Sequence, residues 1–363
     1  MGIVAGEGAV PNQIDLQHVF AARADGVQSG PDGLVGTFGE GVPRALVAAL
    51  GGLAVDVKAP PLSDATEGPQ SAVVAAIAEP FLDPFATRFL HRFAAGAFDH
   101  FALLIFSRDD VAGLAAYQYA LELRRLGHVP DRGPRLYLWN LLRTDSAPAS
   151  AFNRFALDEL SCRLAETLGT ALDLDRLSEA VAAETRRITA LRALSPGGSQ
   201  AFVARNAGRW LAPDAHIAML PGPADSTAQG PKIALVGTAC DIPVLNDLCA
   251  GHGQVIADLQ DYGRLMPQPA GRDLLSEIAL DPLCHRAAPP MRYSQALHAG
   301  IKGADLVISS VDTNDDSFGW ELPGLRAAAK AQGSQFLDLG FRPFRPDDAW
   351  QDKARTQIAE ALT

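Results

Sequence analysis

Three polar stretches in this chain follow apolar runs, which is where α/β proteins place their chemistry. The first is Ser107-Arg108-Asp109-Asp110, after His100-Phe101-Ala102-Leu103-Leu104-Ile105-Phe106. An arginine there suits a phosphate or carboxylate. The acids beside it either face a ligand or begin the helix that follows, since Ser and Asp cap helices and acids suit the dipole. The second is Gly237-Thr238-Ala239-Cys240-Asp241, after Ile233-Ala234-Leu235-Val236. A glycine between strand and helix can cradle a phosphate with backbone N–H groups, and Thr or Asp there equally caps a tight turn. Neither G-x-G-x-x-G nor G-x-x-x-x-G-K-S/T is present, so a dinucleotide or nucleotide-triphosphate site has little support. Cys240 has no paired histidine nearby and reads as a semi-buried small residue rather than a nucleophile. The third is Ser310-Val311-Asp312-Thr313-Asn314-Asp315-Asp316-Ser317. It is acidic but lacks the Gly and Glu positions of an EF-hand, leaving a capping turn or a carboxylate site.

The elements that must position these loops alternate. Leu34-Val35-Gly36-Thr37-Phe38-Gly39 reads as a buried strand that stops at glycine. Pro43 then opens a helix that ends at Gly51-Gly52. Leu53 to Val57, 100–106 and Pro134 to Trp139 supply further strands, with a helix from Val111 to Leu126 ended by Gly127. This β-α-β rhythm predicts a parallel sheet covered by helices. Residues 151–194 turn helical, with a break at Gly169 and a second helix started by Asp173 and Asp175. The proline-rich stretch Pro213 to Pro231 reads as a linker. The rhythm then restarts through Ile233 to Val236, Val255 to Leu259, Ala304 to Ser310 and Gln335 to Leu339. The expected organisation is an N-terminal extension over 1–30, a first α/β domain over 31–150, a helical section over 151–212, a linker over 213–231 and a second α/β domain over 232–363. The natural ligand site on this reading is a cleft lined by strand-end loops.

Composition narrows the function classes. With 363 residues, 48% of them hydrophobic and 20% charged, this is an ordinary globular chain. A net charge of −11 argues against nucleic acid or an anionic membrane as the main partner. No apolar run reaches the roughly 20 residues that span a bilayer. Met1-Gly2-Ile3-Val4-Ala5-Gly6 has no secretory pattern, so a cytoplasmic location is expected. Cys162, Cys240, Cys249 and Cys284 form no C-x-x-C pair and have no histidine at zinc-finger spacing.

The order of these elements resembles a subunit of the 2-hydroxyacyl-CoA dehydratase and benzoyl-CoA reductase family, from about Val35 to Phe344. Val42-Pro43-Arg44-Ala45-Leu46-Val47-Ala48-Ala49-Leu50-Gly51 is similar to the family's N-terminal helix, usually Pro-Glu-Leu followed by Ala-Ala-Gly. Phe98-Asp99 through Leu126-Gly127 is similar to its strand, ligand loop and following helix, and Leu160 to Val181 to its helical section. Lys232 to Asp258 and Ala304 to Leu339 are similar to its second α/β unit. The likeness lies in order and spacing. It implies two Rossmann-like (flavodoxin-like) parallel-sheet units with a helical middle section.

In that family each cluster-bearing subunit holds a four-iron cluster through three cysteines on separate loops, with one iron open to substrate. Matching the loops puts those positions at Asp83, in Asp83-Pro84-Phe85; at Ser107 or, better, Arg108; and at Asp315, with Asp316 behind it and Pro323 in register. None is a cysteine, and thiolates are the usual cluster ligands. The resemblance therefore implies a subunit with no cofactor or metal of its own, paired with a homologous cysteine-bearing subunit that carries the four-iron cluster. Its ligand would be an acyl-CoA, met by Ser107, Arg108, Asp109, Thr238, Asp315 and Asp316. The alternative is a stand-alone enzyme acting on an acyl-CoA or small acid. In it Asp83, Asp109 and Asp315 would be the candidate catalytic groups, as acid and base or around a divalent metal.

Overall fold

The computed structural model describes residues 15–24, 33–58, 70–222, 230–238, 242–268, 273–284 and 287–362. In chain order the elements are α1 (Leu16–Ala21), β1 (Leu34–Phe38), α2 (Arg44–Ala49), β2 (Leu53–Asp56), α3 (Ala72–Ile77), α4 (Pro84–Ala94), β3 (Leu103–Ser107), α5 (Val111–Arg125) and β4 (Arg135–Trp139). There follow α6 (Ala147–Leu168), α7 (Leu174–Arg192), α8 (Ser199–Ala207), α9 (Pro213–Met219), β5 (Lys232–Gly237), α10 (Val244–Cys249) and β6 (Gln254–Asp258). The last are α11 (Ser276–Ala279), α12 (Pro290–Gly300), β7 (Leu306–Asp312), α13 (Leu322–Ala331), β8 (Gln335–Arg342) and α14 (Asp348–Ala361).

The chain divides into two units. The first is Met1–Ile188 with Ala207–Met219 and Met266–Asp281; the second is Thr189–Asn206 with Leu220–Leu265 and Pro282–Thr363. Each carries a four-stranded, all-parallel sheet, ordered β2-β1-β3-β4 in the first and β6-β5-β7-β8 in the second. The fold class is α/β, with two Rossmann- or flavodoxin-like units.

Burial on both faces explains why β3 and β5 read as near-continuous apolar runs. In β5, Ile233 and Leu235 pack with α10 and α14, while Ala234 and Val236 pack with α12 and α13. In the first unit Val35, Leu103 and Ile105 lie in one cluster with Leu46 of α2, Leu50 just after it, and Leu160 and Leu164 of α6. Phe38 and Phe106 meet Phe89 of α4, with ring centroids 5.4 and 5.2 Å apart. The helix α6 stops at Gly169, whose φ of 65° is the left-handed conformation that glycine enters most readily.

Two boundaries differ from the sequence reading. The strand expected over 100–106 begins at Leu103. The apolar run is longer because Phe98 and Phe101 are buried ahead of the strand, Phe98 stacking on Phe89 at 5.1 Å. The stretch read as a linker from Pro213 opens with helix α9, Pro213 standing in its first turn where a missing N–H costs nothing; residues 223–229 lie outside the described residues. No described helix is long and apolar enough to cross a membrane.

Candidate functional site

In the first sheet the chain leaves β1 for β2 on one side and returns to β3 on the other. Ligands of open α/β sheets bind at such a switch point, beyond the carboxyl ends of the strands. Register sets Phe38 opposite Phe106, so Gly39 to Gly41 meets Ser107 to Asp110. The two loops are stitched together. The Ser107 hydroxyl donates to the Glu40 carbonyl, and the Glu40 N–H donates to Asp109 Oδ2 at 2.6 Å. Asp109 Oδ1 is buried and has no hydrogen-bond partner among the described residues. This approach needs glycine at 39. Its φ is +94°, and a Cβ there would lie 2.7 and 2.9 Å from the two Asp109 carboxyl oxygens.

Charge is distributed unevenly over this edge. Asp110 caps α5 by accepting from Gly113 N at 3.0 Å, and it pairs with Lys58 Nζ at 2.7 Å. Lys58 follows β2, and its ammonium sits 5.6 Å from the centroid of Phe38 and 5.0 Å from that of Phe85. The nearby cation thus pairs directly with Asp110, not Asp109. Burial, then the Asp110 charge, pushes the Asp109 carboxyl up to about 7; Lys58 and the Glu40 N–H pull the other way, and the Glu40 charge adds to the rise. Arg108 is exposed, anchored by its N–H to the Trp139 carbonyl at 2.8 Å. Asp83 caps α4, its Oδ1 accepting from Phe85 N at 2.8 Å and Ala86 N at 3.3 Å.

Residues not singled out in the sequence complete this edge. Arg209 reaches Asp56, the last residue of β2, at 3.1 Å and Glu40 at 3.8 Å. Arg44 donates to the carbonyls of Gly208, Arg209 and Leu211, and its Nε lies 3.9 Å from Glu184, which also pairs with Arg187. Burial and then Arg187 lower Arg44 to about 9, with Glu184 and Asp56 opposing. A charged residue ending a buried strand, as Asp56 does, was the available sequence signal. Arg209 comes from far along the chain and gave none.

The second sheet has its switch between β5 and β7, with Gly237 opposite Ser310. Thr238 N donates to the Ser310 carbonyl at 3.1 Å, and Asp312 N donates to the Thr238 hydroxyl. The buried Arg342 guanidinium holds both loops, donating to Ser310 Oγ at 2.8 Å, the Thr238 carbonyl at 2.9 Å and the carbonyls of Pro343 and Phe344. Asp315 Oδ1 accepts from Ser317 N and Oγ and from Phe318 N, at 2.8 to 2.9 Å. Asp316 is exposed. Burial raises Asp312, with Asn314 and Arg342 opposing. Ala239, Cys240 and Asp241 lie outside the described residues.

The structure therefore places Asp83, Ser107, Arg108 and Asp109 at the carboxyl edge of the first sheet, and Thr238, Asp315 and Asp316 at that of the second. It joins Ser107 to Asp109 through Glu40. Among the described residues no group of three or more His, Cys, Asp or Glu side chains is arranged to hold a metal ion. Comparison with protein-family models and with curated proteins finds no match to this chain.

Proposed function

We propose that this chain is the cluster-less subunit of a hetero-oligomer like the 2-hydroxyacyl-CoA dehydratases and benzoyl-CoA reductases, where it helps to bind an acyl-CoA beside a homologous subunit that keeps its cysteines. One observation carries the reading. The three positions matching the family's thiolates hold two carboxylates that cap local structure and one exposed guanidinium. Such a donor set does not fit a four-iron cluster, because a cation at one position repels iron and the carboxylates accept from backbone N–H groups. It fits anion recognition. A guanidinium at a strand end matches the carboxylate or phosphate groups of an acyl-CoA. Two parallel sheets of one strand order support the family-like architecture. The stand-alone enzyme is the weaker reading, since Asp83 and Asp315 would have to exchange protons while serving as caps.

The test is titration of an acyl-CoA into the assembly isolated from its native host, with wild-type chain and with Arg108→Ala. Loss of one charge-assisted contact, worth about 1.5–3 kcal/mol, should weaken binding by roughly ten- to a hundredfold. The iron content should not change. Unaltered affinity, or iron lost with the arginine, contradicts the proposal.

A further inference from the structure

We propose that α3 is an acid-released strap: the neutral imidazole of His91 on α4 holds the cap of α3, and protonation of that ring lets α3 leave α4. The inference goes beyond the acyl-CoA reading and does not depend on it, because it concerns one hydrogen bond within the first unit.

Little else holds α3. It is six residues long, Ala72–Ile77, and Val74 is its one buried side chain. Isolated helices shorter than about 12–15 residues are marginal in water, so contacts with the rest of the unit must keep it. Ser71 caps it, the hydroxyl accepting from Val74 N at 3.3 Å. The Ser71 N–H in turn donates to His91 Nδ1 at 2.9 Å. Among the described residues, this is the one hydrogen bond that ties residues 71–78 to another part of the chain. His91 itself is buried on α4, beside the buried Leu90 and Phe93.

The chemistry of the bond fixes its direction. A backbone N–H only donates, so the bond exists while Nδ1 keeps its lone pair. A protonated imidazole presents an N–H there, donor against donor, and leaves the Ser71 amide unpaired. The charges around the ring do not offset this. On its own helix Arg88, one turn back, repels the added proton. Arg92 turns its guanidinium over Phe98, 4.8 Å from the centroid. Ala72–Ile77 carry no charge, and Glu79 beyond them accepts from Tyr119. Burial and then Arg88 hold the ring below its ordinary value of 6.5, in keeping with the bond that it accepts.

The sign follows from linkage. When α3 leaves, the ring regains water and its ordinary acidity, so the released state binds a proton at higher pH than the docked state. Well above 6.5 both states are neutral and pH has no effect. Below it release becomes more favourable, by up to about tenfold per pH unit, until the docked ring is itself protonated.

The experiment is hydrogen exchange of the Ser71 amide in the full chain without ligand, from pH 5 to 8, corrected for the intrinsic rate. Wild type should hold its protection at the alkaline end and lose it below 6.5 by up to about tenfold per pH unit, while the β1 and β3 amides stay protected. His91→Gln, whose side-chain carbonyl accepts without titrating, should give a flat profile. Arg88→Met, which removes the repelling charge, should shrink the loss. Flat protection of Ser71 in wild type, an equal loss in β1 and β3, or the same slope in His91→Gln overturns the strap. The wild-type profile decides even where a variant folds poorly.

Discussion

Replacing Gly39 by alanine tests how closely the two loops of the first switch point must approach. Gly39 has φ +94°, which costs an L-residue roughly 1–2 kcal/mol before any contact is counted. The added Cβ would then lie 2.7 and 2.9 Å from the Asp109 oxygens and 3.0 Å from Ser107 Cβ. The carboxyl is held by the Glu40 N–H and Ser107 belongs to a central strand, so neither gives way easily. Overpacking of this kind costs about 1–3 kcal/mol. The expected loss is therefore about 2–5 kcal/mol. Gly127→Ala separates the two contributions, because Gly127 has φ +74° with nothing within 4 Å of its Cβ position. It should cost the conformational part alone, about 1–2 kcal/mol. The assay is urea unfolding followed by hydrogen exchange of β1 and β3 peptides, which reads the first unit separately from the second. Adding Asp109→Ala to Gly39→Ala removes the carboxyl that the new Cβ strikes, so the double variant should recover much of the contact part. The reasoning fails if Gly39→Ala costs no more than Gly127→Ala, or if the double variant is simply additive.

The capping carboxylates are tested in the same way in each unit. Asp83→Ala should destabilise α4 and its surroundings by about 1 kcal/mol, and Asp83→Asn by only a few tenths, because asparagine keeps the acceptor. Asp315→Ala should cost more than Asp83→Ala, since Asp315 Oδ1 serves three donors rather than two and the residue is buried. Local hydrogen exchange of the α4 and Ser317–Phe318 amides checks both.

Much of the fold was legible because a parallel sheet buries both faces of its strands. Leu103 to Phe106, Ile233 to Val236 and Leu306 to Ile308 stand out as apolar runs for that reason. Strand ends were less legible where packing, rather than pairing, supplied the apolar residues, as at Phe98 and Phe101. Ser107 shows the converse, a polar residue that still pairs with Trp139 as the last rung of β3. The site was legible where contacts are local. Asp110 as the cap of α5 follows from its place three residues before Gly113. The contacts of Asp109 with Glu40, of Lys58 with Asp110 and of Arg209 with Asp56 join segments distant in sequence, and no periodicity announces them. Nor does sequence alone say that one oxygen of a carboxyl beside an arginine will be buried while the arginine stays outside.

On the proposed function, this chain works beside a cluster-bearing homologue. Affinity isolation of the tagged chain from its native host, with protein identification, iron analysis and visible absorption on the product, tests it most directly. The expected product contains a stoichiometric homologous partner carrying the cysteines, with iron that stays with the partner when the two are separated. A chain recovered alone, or one that keeps stoichiometric iron after separation, would contradict it.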